Sequence, residues 1–235
     1  MTLKKIHQEM LSLGDPNKAA HSQIFFKTAP GQYGEGDVFH GIRVPETRKM
    51  AKRYRDLPLK KITSLLHSRY HEERLLALFI LVWQFSHSNP AHQQAIFDLY
   101  LNNTQHINNW DLVDSSAHLI VGPWLETRPR DLLHELAVSD SLWERRIAMM
   151  STFHFIRLHD FEDAITIAHT LLNDTHDLIH KAVGWMLREI GNRNLAAEEE
   201  FLKPHYRTMP RTMLRYAIEK FPEELRLKYL HGTIL

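Results

Sequence analysis

From Asn109 onward, helix-length amphipathic segments open near residues 109, 141 and 176, roughly 32 to 35 residues apart, which is the period of stacked helix pairs. One such pair cannot bury its apolar face alone, so a chain with this period folds by laying successive pairs on one another. The echo is visible in Trp143-Glu144-Arg145-Arg146-Ile147-Ala148 and His180-Lys181-Ala182-Val183-Gly184-Trp185. Apolar spacing of three and four predicts helices over about 45–56 with 59–68, 72–87 with 91–103, 109–126 with 129–138, 141–156 with 160–172, and 176–191 with 195–207. Alternating β-branched runs are few and there are only nine glycines, so the expected fold is all-α: a helical-repeat solenoid, one domain over 1–235. Such a stack curves, and its concave face can hold an elongated partner such as a duplex.

End signals support these helices. Pro45 suits a first helical turn, Asn108 or Asn109 can cap the helix at Trp110, Asp140 or Ser141 the next long one, and Asp174 or Thr175 the one after. Pro58, Pro129, Pro204, Pro210 and Pro222 fall at or near the intervening boundaries, where a missing N–H costs least.

Composition narrows the function classes. With no cysteine the chain has no disulfide, no Cys-ligated zinc and no thiol nucleophile, as expected in a reducing compartment. The start, Met1-Thr2-Leu3-Lys4-Lys5-Ile6-His7, lacks the apolar core of a signal peptide. The longest apolar run, Leu75 to Trp83, is about half a bilayer span and is flanked by Glu72, Glu73, Arg74 and Gln84, which predicts a buried core helix. A cytoplasmic protein is the expectation.

The net charge of +1 conceals an uneven distribution. Between Arg43 and Lys61 stand Arg43, Arg48, Lys49, Lys52, Arg53, Arg55, Lys60 and Lys61 against Glu46 and Asp56, a local excess of roughly +6. A polyanion can bind there, although solvated helix faces account for the run equally well. The stretch Thr28 to Gly41 breaks the helical rhythm and holds four of the nine glycines. It reads as a loop of unusual backbone angles, either a plain connector or a ligand-facing loop with embedded aromatics.

Several enzyme signatures are absent, namely a phosphate-binding glycine loop, a nucleophile elbow, a dinucleotide fingerprint and a His-Glu-x-x-His helix. His176 and His180 have ligand spacing, yet no carboxylate motif or cysteine supports them, so no metal site is read and no cofactor is expected. What remains recurs at helix starts: Trp110 with Asp114, Trp143 with Arg146, Trp185 with Arg188. Each pair lies three or four residues apart and so shares a helix face. Spacing alone leaves two readings open, core-filling indoles beside ordinary ion pairs, or a carboxylate and aromatic rings gathered for cation-forming chemistry.

The segments Asn109-Trp110-Asp111-Leu112-Val113-Asp114, Leu142 to Ala148, and Lys181 to Glu189 resemble the family of AlkD-like DNA alkylation repair proteins. Phe39-His40-Gly41-Ile42-Arg43-Val44-Pro45-Glu46-Thr47-Arg48 resembles that family's N-terminal signature, and all four blocks agree in order and approximate spacing over most of the chain. The resemblance implies a HEAT-like solenoid cupping duplex DNA and excising cationic N3- or N7-alkylated purines by hydrolysis of the N-glycosidic bond, without flipping the lesion into a pocket. Residue by residue, Asp114 matches the catalytic aspartate, Trp110 and Trp185 the lesion-contacting tryptophans, and Arg146 the arginine near the DNA backbone. Arg188, Arg43, Arg48 and Lys49 are further backbone-binding candidates. Tyr33, Phe25 and Phe26 lie where the family has a further aromatic wall residue, and the glycine-rich loop prevents assigning that role to any one of them. Asn109 stands where some relatives carry a second tryptophan.

The chemistry suits these residue types. A purine alkylated at N3 or N7 is already cationic and leaves without a general acid. A fixed carboxylate near C1′ stabilises the positive charge growing on the sugar. Indole faces attract the cationic nucleotide by about 0.5 to 2 kcal/mol. The expected protein is a monomer acting on duplex DNA that carries alkylated bases, with no membrane and no small-molecule cofactor. The competing readings are a non-catalytic DNA-binding member of the same family and a protein-binding scaffold.

Overall fold

The structure is a computed structural model describing residues 2–234. Those residues are helical throughout their regular segments, and two compact units divide at Ser116 and Ala117. The first unit contains α1 (Leu3–Leu13), α2 (Pro16–Phe25), α3 (Val44–Arg53), α4 (Leu59–Leu66), α5 (His71–Ser86), α6 (Pro90–Leu101) and α7 (Trp110–Asp114). The second contains α8 (Ala117–Leu125), α9 (Asp131–Ala137), α10 (Leu142–Ser151), α11 (Phe153–Arg157), α12 (Glu162–Thr170), α13 (Asp177–Gly191), α14 (Leu195–His205), α15 (Arg211–Ala217) and α16 (Glu223–His231).

In the first unit α5 is the central rod. Leu75 through Leu81 are buried on every side, and α3, α4 and α6 pack around them. The apolar run is thus a core helix, and among the described residues no helix is long and apolar enough to cross a membrane. The first turn of α5 is unusual, because His71, Glu72, Glu73 and Arg74 are all buried. Four consecutive ionisable groups out of water must each find partners, and those partners come from the glycine-rich loop and its neighbours.

In the second unit α10 packs on α8, α9 and α13, while α13 packs on α14 and α15. Gly122 lets α8 approach α11 closely, since a Cβ there would lie 2.5 Å from His154 Cβ and 2.7 Å from the Ser151 carbonyl oxygen.

Five boundaries differ from the sequence expectation. The helix expected over 109–126 is two helices: α7 ends where Ser116 Oγ bonds back to the Leu112 carbonyl at 2.6 Å and meets Tyr100 Oη at 2.9 Å. The one expected over 141–156 breaks at Thr152, where Ser151 Oγ and Thr152 Oγ1 each bond to a carbonyl of their own helix at 2.7 Å. Hydroxyls that compete for helical carbonyls bend or end a helix. Neither Asp174 nor Thr175 caps α13; His176 does, its Nδ1 accepting from Leu178 N at 3.1 Å, while Asp174 caps the preceding turn. Helix α14 ends at His205, two residues before the expected 207, with Pro204 in its last turn. Finally, α1, α2, α15 and α16 flank the expected array, and α2 buries no residue, so it has no apolar stripe to detect.

Candidate functional site

The first unit places Trp110 and Asp114 at the two ends of the five-residue helix α7. So short a helix cannot hold itself, and its position is set by contacts. At its start the buried side chain of Asn109 accepts from Trp110 N at 2.9 Å. Half-buried Trp110 stacks on Phe26, with ring centroids 5.4 Å apart and planes at 22°, and meets Phe25 edge-on at 5.9 Å. Phe25 remains 55% exposed, so this wall of rings reaches solvent. Asp114 is half-buried at the far end of α7, and its charge, added to burial, keeps the Tyr100 phenol well above its usual pKa.

Behind the aromatic wall runs a line of alternating charges. Arg74 contacts Asp37 at 2.7 Å, Asp37 accepts from His71 Nδ1 at 3.1 Å, and Asp111 accepts from His71 Nε2 at 2.8 Å. Burial disfavours a charged imidazole, but the charge and hydrogen bond of Asp111, together with the bond to Asp37, outweigh it and raise the His71 pKa to about 9. Asp37 is held below the ordinary carboxylate range: burial opposes this, and His71 and Arg74 prevail. The imidazolium packs against Phe39, stacked at 4.7 Å, and Phe26, tilted at 4.8 Å, and those two rings stack on each other at 5.2 Å, so the three form one aromatic cluster.

The glycine-rich loop supplies Asp37 and Phe39 and is fastened along its length. Val38 pairs with the start of α5, its N–H donating to the Arg69 carbonyl and its carbonyl accepting from His71 N at 2.8 Å. The Glu72 carboxylate accepts main-chain N–H groups of His40, Gly41 and Ile42 at 2.9, 2.8 and 3.2 Å. Gly41 has φ +80° and a Cβ there would stand 2.1 Å from the Asp15 carbonyl oxygen, so only glycine fits. The loop is a clamp joining α2, α5 and α7.

The basic run lies along α3, its connection to α4 and the first turn of α4, exposed except for part-buried Lys61. Arg43 is the exposed residue preceding α3, Arg48 lies 4.1 Å over the Phe79 ring, and Lys49 reaches Glu46 at 2.7 Å.

In the second unit Trp185 is half-buried on α13, its indole N–H donating to Glu189 Oε1 at 3.2 Å, with Phe153 6.3 Å away. Phe153 also meets His118 at 5.4 Å and has the Arg157 guanidinium 5.0 Å from its centroid. Arg146 is buried in α10 and donates to the Leu178 carbonyl, which ties α10 to the first turn of α13. Arg188 pairs with Glu219. Trp143 is buried as a core residue. His176 and His180 spend ring nitrogens on Leu178 N and the Asp174 carbonyl rather than on a common point.

Sequence reasoning thus reached the residues on α7 and α13 but missed what braces them. His71, Asp37 and Arg74 carry no motif, Asp111 lies within the block around Trp110 without a role read for it, and Phe153 gives no signal beyond its proximity in the fold to Trp185. One clue was legible: four consecutive ionisable residues opening an apolar helix, a pattern that needs partners once buried.

A family model described as DNA alkylation repair enzyme matches residues 6–221. Among solved structures, a predicted DNA alkylation repair enzyme from Enterococcus faecalis aligns with a TM-score of 0.68 at 18% identity, covering 89% of this chain and 97% of its own. AlkD2 from Streptococcus mutans aligns with a TM-score of 0.55 at 16% identity, covering 88% and 99%. At such identities these likenesses establish the helical-repeat fold. No curated protein matches the chain by sequence. The family model spans both units and nearly the whole chain, so this protein belongs to the DNA alkylation repair enzyme family.

Proposed function

We propose that the protein is a DNA glycosylase that removes cationic N3- and N7-alkylated purines, such as 3-methyladenine and 7-methylguanine, from duplex DNA in base excision repair. Family membership makes DNA the partner. The observation that carries the finer reading is α7 itself: a carboxylate and an indole at opposite ends of a helix too short to place itself, held by an aromatic wall and a buried charge line.

In this reading the C1′–N9 bond of the alkylated nucleotide breaks and its electron pair returns to the base, which leaves neutral. The Asp114 carboxylate faces the positive charge left on the sugar and orients the water that adds at C1′, whose proton passes to the carboxylate or solvent. Trp110 packs on the sugar of the lesion-bearing nucleotide, with Phe25 and Phe26 as its backing. In the second unit, half-buried Trp185 is the candidate lesion contact and Arg188 the candidate backbone contact, whereas buried Arg146 is spent on the Leu178 carbonyl and braces α13 instead of meeting DNA. Arg43, Arg48 and Lys49 hold phosphates without reading sequence. The chemistry needs no cofactor, and the proposed active species is a cytoplasmic monomer.

Incubation with methylated duplex DNA tests this directly. Wild-type protein is expected to release free 3-methyladenine and 7-methylguanine, and Asp114→Asn to bind the duplex yet release neither. Undiminished single-turnover release by Asp114→Asn rejects the catalytic assignment. Salt-sensitive binding by wild type with no base release supports the non-catalytic DNA-binding reading instead.

A further inference from the structure

We propose that His7, His40 and Glu73 form a binding site for a divalent transition-metal ion, zinc by its chemistry, independent of the DNA-facing residues. The three side chains come from α1, the glycine-rich loop and the first turn of α5, and one ligand atom of each lies within 4.8 Å of the other two. Both imidazoles aim at one oxygen: His7 Nδ1 is 2.5 Å and His40 Nε2 3.1 Å from Glu73 Oε1. Around a four-coordinate zinc with ligands at about 2.0 to 2.1 Å, neighbouring donor atoms stand roughly 3.3 Å apart. The His40–Glu73 spacing is already close to that, and the shorter one opens by rotation of His7, whose side chain is 40% exposed.

Two of the three groups are oriented in advance. The His40 ring is buried, stacks on Tyr70 at 3.9 Å with planes 9° apart, and has its main-chain N–H held by Glu72. Glu73 is buried at the base of α5. Access is from the side of His7, where a cavity of about 290 Å³ lined by Lys4, Ser64 and Ser68 along with His7 and Glu73 has room for a water as fourth ligand. Two imidazoles and one carboxylate suit zinc and its neighbours rather than magnesium or calcium. Lys4 at the cavity wall opposes the ion's charge and weakens binding. The residues stand 33 and 66 positions from Glu73 in the chain, which is why no motif marks them.

The bound ion would cross-link α1 to α5 and the loop, and so stabilise the native state by mass action. Cobalt(II) is the direct probe. One equivalent is expected to give the intense visible bands of a four-coordinate site, which zinc abolishes, and zinc but not magnesium is expected to raise Tm. His7→Gln alters a part-exposed position, and His40→Phe keeps the stack on Tyr70. Each is expected to weaken cobalt binding about tenfold or more with an unchanged circular dichroism spectrum. Absence of four-coordinate bands with excess cobalt, or equal bands in wild type and both variants, overturns the site. Base release from methylated DNA is read separately and bears only on the glycosylase proposal.

Discussion

His71 donates from Nε2 to Asp111 across 2.8 Å, joining the first turn of α5 to the second residue of α7. The bond spans 40 positions of sequence and fixes the helix on which Trp110 and Asp114 stand. Breaking a buried ion pair costs about 3 to 5 kcal/mol, and Asp37, which stays bonded to His71, keeps the effect at the lower end. Asp111→Ala is therefore expected to lower unfolding stability by about 3 kcal/mol in urea titrations. A loss under about 1 kcal/mol would mean that the pair does not hold α7.

Gly34 tests the loop clamp from the other side. A Cβ at this position would lie 2.5 Å from the Phe26 carbonyl oxygen and 3.2 Å from Asn109 Nδ2. Gly34→Ala must push apart the backbone of the aromatic wall and the residue capping α7, at a cost of about 1 to 3 kcal/mol. Under the proposed function, base release falls more than DNA affinity, because the substitution displaces α7 and leaves the basic run alone. Equal loss of both would place the loop's role elsewhere.

Charge reversal on α3 addresses the DNA-binding expectation. Lys49 is exposed, and exposed Arg48 loses only its stack on Phe79, a cost of about 0.5 to 1 kcal/mol. Arg48→Glu with Lys49→Glu is expected to weaken duplex binding and to reduce the slope of log K against log salt by about 0.9 for each phosphate no longer neutralised. An unchanged slope would show that these side chains touch no phosphate.

Glu198 gives the chain an alkaline weakness. Burial, reinforced by Glu199 and only partly offset by Arg188, pushes its carboxyl up to about 9 from an ordinary 4.5. The native state keeps a proton that the unfolded chain releases, so this stabilisation is complete below pH 4.5, declines as pH rises, and is gone above pH 9. Wild-type Tm is expected to fall between those limits, and Glu198→Gln, which keeps the shape of the neutral acid, to fall less. Parallel curves would show that Glu198 titrates normally.

Much of the fold was legible in local pattern. Ser141 and Asn109 cap the helices they were expected to cap, Pro45 lies in the first turn of α3, and Leu75 to Leu81 form a buried rod. Helix 176–191 was read within one residue of α13. The failures have local causes as well: hydroxyls at Ser116 and Thr152 divide two expected helices, and α2 lacks the apolar stripe that periodicity detects. For the candidate site, the i, i+4 relation of Trp110 to Asp114 could be read directly. The burial of Arg146 and its bond to Leu178 could not, because an arginine looks alike in sequence whether it meets solvent or a carbonyl from another helix.

By itself, then, the sequence determined most helices of the central array, the caps of α7 and α10, the repeat period and the resemblance at Trp110, Asp114, Arg146 and Trp185. Those are properties of one turn or one repeat, governed by side-chain spacing and the unsatisfied groups at helix ends. Only the tertiary structure decided that His71 would join Asp37 to Asp111, that Glu72 would hold the loop backbone, and that His7 and His40 would converge on Glu73. The physical reason is that a buried ionisable group must find compensation wherever packing brings a partner within reach, and that partner is chosen by distance in space, not along the chain.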